Sequence, residues 1–287
     1  MASEFRYRDP VLDRGTLVVA ISQSGETADT LEAVRHAKSQ KARVLAICNT
    51  NGAQIPRESD AVLYTRAGLE VCVASTKCLL AQITATSLLG LSLARVLGTK
   101  DGEEVAREYA ALAAMPDLVA ETLDRMGPVA ELARDLSTSQ TVLFLGRHVG
   151  FPVALEGALK LKELAYVHAE GFPAGELKHG PIALIEPGLP VVVVAPSPRS
   201  RGVLHRKVLS NIAEVQARGA RTIVVAEDGD EAVVPYAEHL IRVPQTPTLY
   251  SPLVTTVPLQ VLAMEFALAR GLDVDKPRNL AKSVTVE

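Results

Sequence analysis

The sequence predicts an α/β protein made of two doubly wound, parallel-sheet units. Three observations carry that reading. Short apolar runs rich in Val and Ile stand at 17–21, 43–48, 61–64, 141–145, 191–195, 222–226 and 239–243. Helical patterns at 27–39, 75–97, 153–166, 202–218 and 253–270 lie between many of them. Continuous apolar strands alternating with amphipathic helices fit a parallel sheet covered on both faces. The third observation is a weak internal repeat. The run TLVVAISQSGETADTLEAVRHAKSQKARVLAICNT reads strand, hydroxyl-rich turn, helix, strand; LPVVVVAPSPRSRGVLHRKVLSNIAEVQARGARTIVVAED has the same order and nearly the same element lengths.

The repeat sets the expected organisation. Strand 141–145 and helix 153–166 precede the second copy, whereas only 1–16 precede the first. The first domain is therefore expected to lack its opening β–α unit, with a truncated chain as the simpler explanation. The expected divisions are a first domain at 1–100, a helical connector at 101–134, a second domain at 135–272 and a C-terminal tail at 273–287. The connector is charged, Ala-rich and helix-prone, with Pro116, Gly127 and Pro128 inside it. The total of 287 residues suits two domains at roughly 150 residues each.

Composition narrows the function class. With 48% apolar and 22% charged residues the chain is globular rather than disordered. Thirty basic against thirty-three acidic residues give a net charge of −3, which argues against nucleic-acid binding through bulk positive charge. Cys48, Cys72 and Cys78 form no CxxC, and the six His form no HExxH. Neither a disulfide framework nor a metal centre is indicated, and no cofactor is expected. The start, MASEFRYRDP, has no apolar signal core. The uncharged stretch 78–94 is short for a bilayer span of about 20 residues and reads as a buried helix. The expected setting is cytoplasmic, with no membrane partner.

Several clusters could carry chemistry. Ser22-Gln23-Ser24-Gly25-Glu26-Thr27 follows a strand and opens a helix. Ligands of doubly wound sheets sit at the carboxyl ends of strands. A helix N-terminus offers unpaired N–H groups and the positive end of a dipole, which suits a phosphate. Plain N-capping accounts for any one of these hydroxyls, and both readings stay open for three of them. No GxxxxGK[ST] is present, so a nucleoside triphosphate is not indicated. In Val73-Ala74-Ser75-Thr76-Lys77, Ser75 and Thr76 are placed to cap the next helix, and could face the same ligand.

Glu156, Lys160 and Glu163 stand at i, i+4 and i+7 and so share one helix face. They form either an exposed salt-bridged stripe or a partly buried acid–base pair, the latter because Leu155, Leu159 and Leu164 make part of the helix apolar. Segment 168–181 reads as a loop by its glycines and prolines, yet holds two His, two Glu and a Lys. Functional loops and solvated ones both look like this. His179 is the better candidate there for proton transfer near neutral pH. The chain end from Asp273 would ordinarily fray. Leu280, Val284 and Val286 are apolar, however, and a docked tail would bring Lys282 to a carbonyl substrate.

Together the runs ISQSGETADT, VASTK, ALEGALKLKE, HAE, AGELKHGP and DVDKPRNLAKSVTVE resemble the isomerase half of the glutamine–fructose-6-phosphate aminotransferase family, also called glucosamine-6-phosphate synthases. That half is a pair of SIS (sugar isomerase) domains of flavodoxin-like α/β fold. SQSGET alone indicates only an SIS domain; AGELKHGP and PRNLAKSVTVE are far more specific. The resemblance implies conversion of fructose 6-phosphate and ammonia, the latter from glutamine in full-length members, to glucosamine 6-phosphate. It implies that Ser22, Gln23, Ser24 and Thr27 cradle the sugar phosphate and that Val73, Ser75 and Ala281 line the sugar pocket. Glu163 would move a proton between C1 and C2, with Lys160 beside it. His179, from the neighbouring subunit of a homodimer, would assist ring opening. Lys282 would form a Schiff base with the open-chain ketose.

The departures also carry expectations. Family members begin with a glutaminase domain whose N-terminal Cys is the nucleophile. This chain begins Met1-Ala2-Ser3 and has no Cys before Cys48, so glutamine hydrolysis by that mechanism is not expected. The segment expected to be missing carries further phosphate-binding hydroxyls in the family. Weaker phosphosugar binding and an exposed sheet edge follow. Two other classes stay open. One is a non-catalytic phosphosugar-binding SIS module, against which Glu163, Lys160, His179 and Lys282 speak. The other is an ammonia-independent phosphosugar isomerase or deaminase, against which the C-terminal run speaks.

Overall fold

The computed structural model describes residues 1–200 and 202–283. Val284 and Val286, part of the expected docked tail, lie outside the described residues. The chain divides into two compact units, one comprising Met1–Tyr109 with residues 278–283, the other Ala110–Pro277.

The first unit runs α1 (Ala2–Phe5), β1 (Leu17–Ser22), α2 (Ala28–Ser39), β2 (Arg43–Cys48), α3 (Gln54–Glu58), β3 (Ala61–Tyr64) and α4 (Lys77–Val96). Its strands are parallel, in the order β1-β2-β3. The central strand β2 buries Val44, Ala46 and Ile47, and α2 closes one face with Leu31, Val34 and Ala37. This is the packing expected where β-branched runs meet an amphipathic helix.

The helix α5 (Gly102–Ala113) spans the division, and the second unit continues with α6 (Met115–Asp124), α7 (Gly127–Leu136), β4 (Thr141–Gly146), α8 (Gly150–Ala165), β5 (His168–Pro173), β6 (Pro190–Val194), α9 (Gly202–Gln216), β7 (Arg221–Glu227), β8 (His239–Val243) and α10 (Ser251–Ala269). The segment expected as a connector is thus helical, with α6 and α7 packed on α10 inside the second unit. The all-parallel sheet has the order β5-β4-β6-β7-β8. Counted within the unit this is 2-1-3-4-5, a flavodoxin-like doubly wound arrangement.

The internal repeat is a structural repeat. Leu17 pairs with Arg43 in the first sheet as Pro190 pairs with Arg221 in the second. The first sheet has no counterpart of β4 and β5 among the described residues. The consequence is visible in burial. All five residues of β6 are buried, whereas Leu17, Val19 and Ile21 of the equivalent β1 are 44%, 37% and 45% exposed.

Three expectations are corrected. Segment 168–181 is not a loop. Residues 168–173 form the edge strand β5, followed by 3-10 turns at Ala174–His179 and Pro181–Leu184. An edge position tolerates Pro173, which has no N–H to donate. Gly171 is there for close packing, since a Cβ would lie 2.9 Å from Leu155 Cα. Second, α4 is apolar as expected but not buried: only Cys78, Ala85 and Leu91 are inaccessible. Composition does not separate a core helix from one with an outward apolar face. By length and composition α4 and α10 could each cross a membrane, but 61% of the apolar window of α10 is buried inside the protein, against 11% for α4. Third, Leu155 and Leu159 of α8 are exposed. The inward face of α8 is instead Val153, Ala154, Gly157, Ala158, Lys160, Leu161 and Leu164.

Gly157 lets α8 approach the sheet and α10. A Cβ there would meet Leu259 Cδ1 at 2.7 Å and Phe144 Cε1 at 2.9 Å. Arg270, just past α10, donates to the carbonyl oxygens of Ser137 (2.7 Å), Ser139 (2.6 Å) and Ala165 (3.0 Å). One guanidinium thereby satisfies carbonyls at the C-terminal ends of α7 and α8 that have no intrahelical donor.

An open strand edge bearing apolar side chains favours self-association. Val19→Lys is expected to leave folding intact, by circular dichroism, and to lower concentration-dependent association measured by sedimentation velocity.

Candidate active site

In the first unit, residues 22–27 form a tight turn between β1 and α2. The Ser22 hydroxyl is buried and accepts from the Gly25 N–H at 3.0 Å; the Ser24 hydroxyl accepts from the Glu26 N–H at 3.2 Å. Glu26 in turn accepts from the Gln54 N–H at 2.9 Å, and the Gly25 carbonyl accepts from the Ile55 N–H at 2.9 Å. The turn is therefore anchored to α3 and presents the α2 N-terminus. Thr27 is the N-cap of α2, yet its side chain makes no capping hydrogen bond. Capping therefore does not account for that hydroxyl. Gln23, Ser24 and Thr27 are partly exposed beside it, as a loop that receives an anion requires.

Gly25 has φ +72, and a Cβ would lie 2.6 Å from Ala53 Cβ and 2.8 Å from Cys48 Sγ. Only glycine satisfies both the left-handed backbone and that contact. Asn49, at the end of β2, ties this turn to the segment leading to α4. Its N–H donates to the Gln23 carbonyl at 3.2 Å. Its side chain accepts from the Thr65 hydroxyl and the Ala67 N–H, both at 2.9 Å, and donates to the Gly68 carbonyl at 2.8 Å.

The approach to α4 differs from expectation. Ser75 and Thr76 do not cap the helix through their side chains; Thr76 is the N-cap residue without a side-chain cap bond. Ser75 instead adopts a left-handed conformation, φ 58. The cap comes from Glu70, whose Oε2 accepts from the N–H groups of Thr76 (3.1 Å) and Cys78 (3.0 Å). Burial pushes the Glu70 carboxyl up, but hydrogen bonds from the Cys78 amide and thiol and from the Thr76 amide outweigh it, and the carboxyl lies below its ordinary range. Burial, then the bond to Glu70, pushes the Cys78 thiol up to about 11. Val73 and Ser75 are half-buried on the same turn. Lys282 reaches this segment, its Nζ donating to the Cys72 carbonyl at 2.6 Å; Ala281 beside it is exposed.

In the second unit α8 brings together three charges. Lys160 is 4% exposed, with Nζ 2.5 Å from Glu163 Oε2 and 3.4 Å from Glu156 Oε1. A buried ammonium is tolerable only when paired, because desolvating each ion costs several kcal/mol. Burial raises the Glu156 carboxyl above its ordinary range, against the lowering effect of Lys160. His179 is exposed at the end of its 3-10 turn, and no hydrogen bond among the described residues ties it to the α8 trio. Its neighbour Lys178 pairs with Glu214 at 2.9 Å. Among the described residues no three His, Cys, Asp or Glu side chains gather as a metal site.

Sequence reasoning missed Gly25 as a steric requirement and missed Asn49 and Glu70 altogether. Their roles come from contacts across 16 to 28 residues of chain or from a cap set six to eight residues upstream, with no local spacing signal.

The fold has known counterparts. The SIS domain profile matches residues 1–92 and 135–270. The C-terminal domain of glucosamine-fructose-6-phosphate aminotransferase from Francisella tularensis superimposes with a TM-score of 0.89 at 39% identity, over 96% of this chain and 77% of that one. The chain belongs to the SIS-domain family of isomerizing glutamine–fructose-6-phosphate aminotransferases. Over its whole length this SIS pair is 74% identical to the glutamine–fructose-6-phosphate aminotransferase (isomerizing) of Mycobacterium tuberculosis strain H37Rv, and 70% identical to that of Streptomyces coelicolor. It spans about half the length of these curated relatives, 46% and 47%. A glucosamine-6-phosphate deaminase from Thermotoga maritima matches with a TM-score of 0.73 at 27% identity, over 99% of this chain and 80% of that one.

Two measurements check the geometry. Gly25→Ala is expected to lower unfolding free energy by about 2 kcal/mol or more in urea titration, since left-handed strain and overpacking add. Cys78 is expected to react with iodoacetamide at pH 8 about a hundredfold more slowly than an ordinary thiol, read by peptide mass spectrometry.

Proposed function

We propose that this SIS pair carries out the amination–isomerisation of fructose 6-phosphate, with ammonia as nitrogen donor, to glucosamine 6-phosphate. The observation that carries the reading is the buried Lys160 held against Glu163 on α8, in a chain whose 74% identical relatives bear the name of that reaction. A half-buried carboxylate fixed by a buried ammonium is suited to shuttling a carbon-bound proton.

In this reading Ser22, Gln23, Ser24 and Thr27 hold the phosphate, and Val73, Ser75 and Ala281 border the sugar. Binding energy spent on the phosphate positions C1 and C2. His179, contributed by the second copy of a homodimer, assists ring opening. The exposed apolar residues at the end of α4, Val96 and Leu97, and the exposure of His179 support a second copy. The Lys282 amine condenses with the C2 carbonyl of the open-chain ketose and releases water. Ammonia adds to that iminium carbon and frees Lys282, leaving an imine at C2. Glu163 removes a proton from C1 and returns it to C2. The C1 hydroxyl gives its proton to the nitrogen, so C1 ends as an aldehyde and C2 carries the amine. Lys160 keeps Glu163 in place throughout. The 27% identity to a glucosamine-6-phosphate deaminase supports a second reading, the same steps run towards ammonia release.

The test is glucosamine 6-phosphate formation from fructose 6-phosphate and ammonium ion, read by mass spectrometry. Glu163→Gln is expected to lower the rate by about 10²–10⁴-fold while phosphosugar affinity is retained. Equal rates in the two proteins would remove Glu163 as the base. Ammonia release from glucosamine 6-phosphate without the forward reaction would favour the second reading.

A further inference from the structure

The roles proposed above leave Glu70 without one. It is 7% exposed, in the irregular segment between β3 and α4. One carboxylate oxygen accepts from the Thr76 and Cys78 amides and from the Ser75 hydroxyl at 3.3 Å. A carboxylate at a helix N-terminus satisfies amides that have no intrahelical acceptor and meets the positive end of the dipole. A cap by itself would be purely structural.

The second observation is what this cap holds in place. Ser75 sits in the left-handed region, φ 58, a conformation costly for a residue with a Cβ. Its hydroxyl is bound by Glu70, and its N–H donates to the Cys72 carbonyl at 3.3 Å. That same carbonyl oxygen accepts from Lys282 Nζ at 2.6 Å. A carbonyl has two lone pairs, so one oxygen can accept from both the turn and the ammonium. Glu70 thus fixes the turn whose Cys72 carbonyl receives Lys282. It also supplies the negative charge, since the Lys282 ammonium is among the charges that act on its carboxyl.

We propose that Glu70 is a positioning residue for Lys282: its buried carboxylate shapes the Cys72–Ser75 turn and attracts the ammonium, so the chain end is docked at the Cys72 carbonyl before substrate arrives. This rests on the reading of Lys282 as the amine that attacks the ketose. A docked amine meets the carbonyl carbon without the entropy cost of ordering the chain end at that moment.

The experiment compares the native chain with Glu70→Gln, which keeps an oxygen acceptor and loses the charge. Lys282 acetylation by acetic anhydride, without substrate, is read by peptide mass spectrometry against the exposed Lys41. Borohydride trapping of Lys282 with fructose 6-phosphate is read beside it. In the native chain Lys282 is expected to acetylate about tenfold more slowly than Lys41. In Glu70→Gln it is expected to acetylate at the Lys41 rate, and to be trapped about tenfold more slowly at saturating substrate. A merely structural cap would change the melting temperature and leave relative Lys282 labelling unmoved, which overturns the proposal. Should Glu70→Gln not fold, the native chain decides: equal labelling of Lys282 and Lys41 overturns docking. No trapping in the native chain, with the labelling difference intact, overturns the Schiff-base reading and leaves the docking standing.

Discussion

The pairing of Lys160 governs the second unit. An ammonium 4% exposed cannot stay unpaired, so Glu156 and Glu163, one turn to either side, are drawn onto it. The helix can bury that face only because Gly157 admits Phe144 and Leu259 against its backbone. The helix ends are held in turn by Arg270, whose guanidinium collects carbonyls from the end of α8 and from the turn between α7 and β4. Core packing and charge pairing therefore act on one helix in one direction. The apolar contacts set its depth, and the depth makes the ion pairs obligatory.

The two units use one backbone plan for different chemistry. In the structural register Ser24, Glu26 and Asn49 of the first unit correspond to Ser197, Arg199 and Glu227 of the second. In the second unit Glu227 accepts from the Ser197 hydroxyl at 2.9 Å and from two guanidinium nitrogens of Arg199 at 2.9 Å each. The loop after β6 thus carries its own anion. In the first unit the equivalent loop is held through main-chain bonds to Asn49 and Ile55 and through Glu26, which turns away to Gln54. The hydroxyls there are not matched by an internal carboxylate in the same position. The same register places Asn49 against one turn and the carboxylate of Glu227 against the other.

Much of this was legible in one dimension. Strands 43–48, 61–64 and 239–243 stand where their short apolar runs lie, because such runs, rich in β-branched residues, favour strands. The Glu156–Lys160–Glu163 face follows from helix periodicity alone. The failures share a cause. β5 was masked by Gly171 and Pro173, which read as turn residues until an edge position and a close contact with Leu155 explain them. Capping is ordinarily local, which points to the adjacent Ser75 and Thr76; an upstream Glu70 supplies the cap of α4. The exposed face of α4 could not be told from a buried one by hydropathy.

The sequence by itself determined the fold class, the order of elements, the repeat and which residue types gather at strand ends. These depend on periodicity and on local backbone preference, which act within a few residues. Only the tertiary structure decided which face of α8 is inside, that Glu70 rather than Ser75 caps α4, and that Asn49 joins two loops. Hydrogen-bond partnership there joins residues six to eight positions apart at Glu70, 16 or more at Asn49, and 210 in the case of Lys282 and Cys72. Such partnerships are chosen by packing of whole elements, because a buried polar group takes whichever partner the fold brings within 3 Å, and chain neighbours have no priority in that choice.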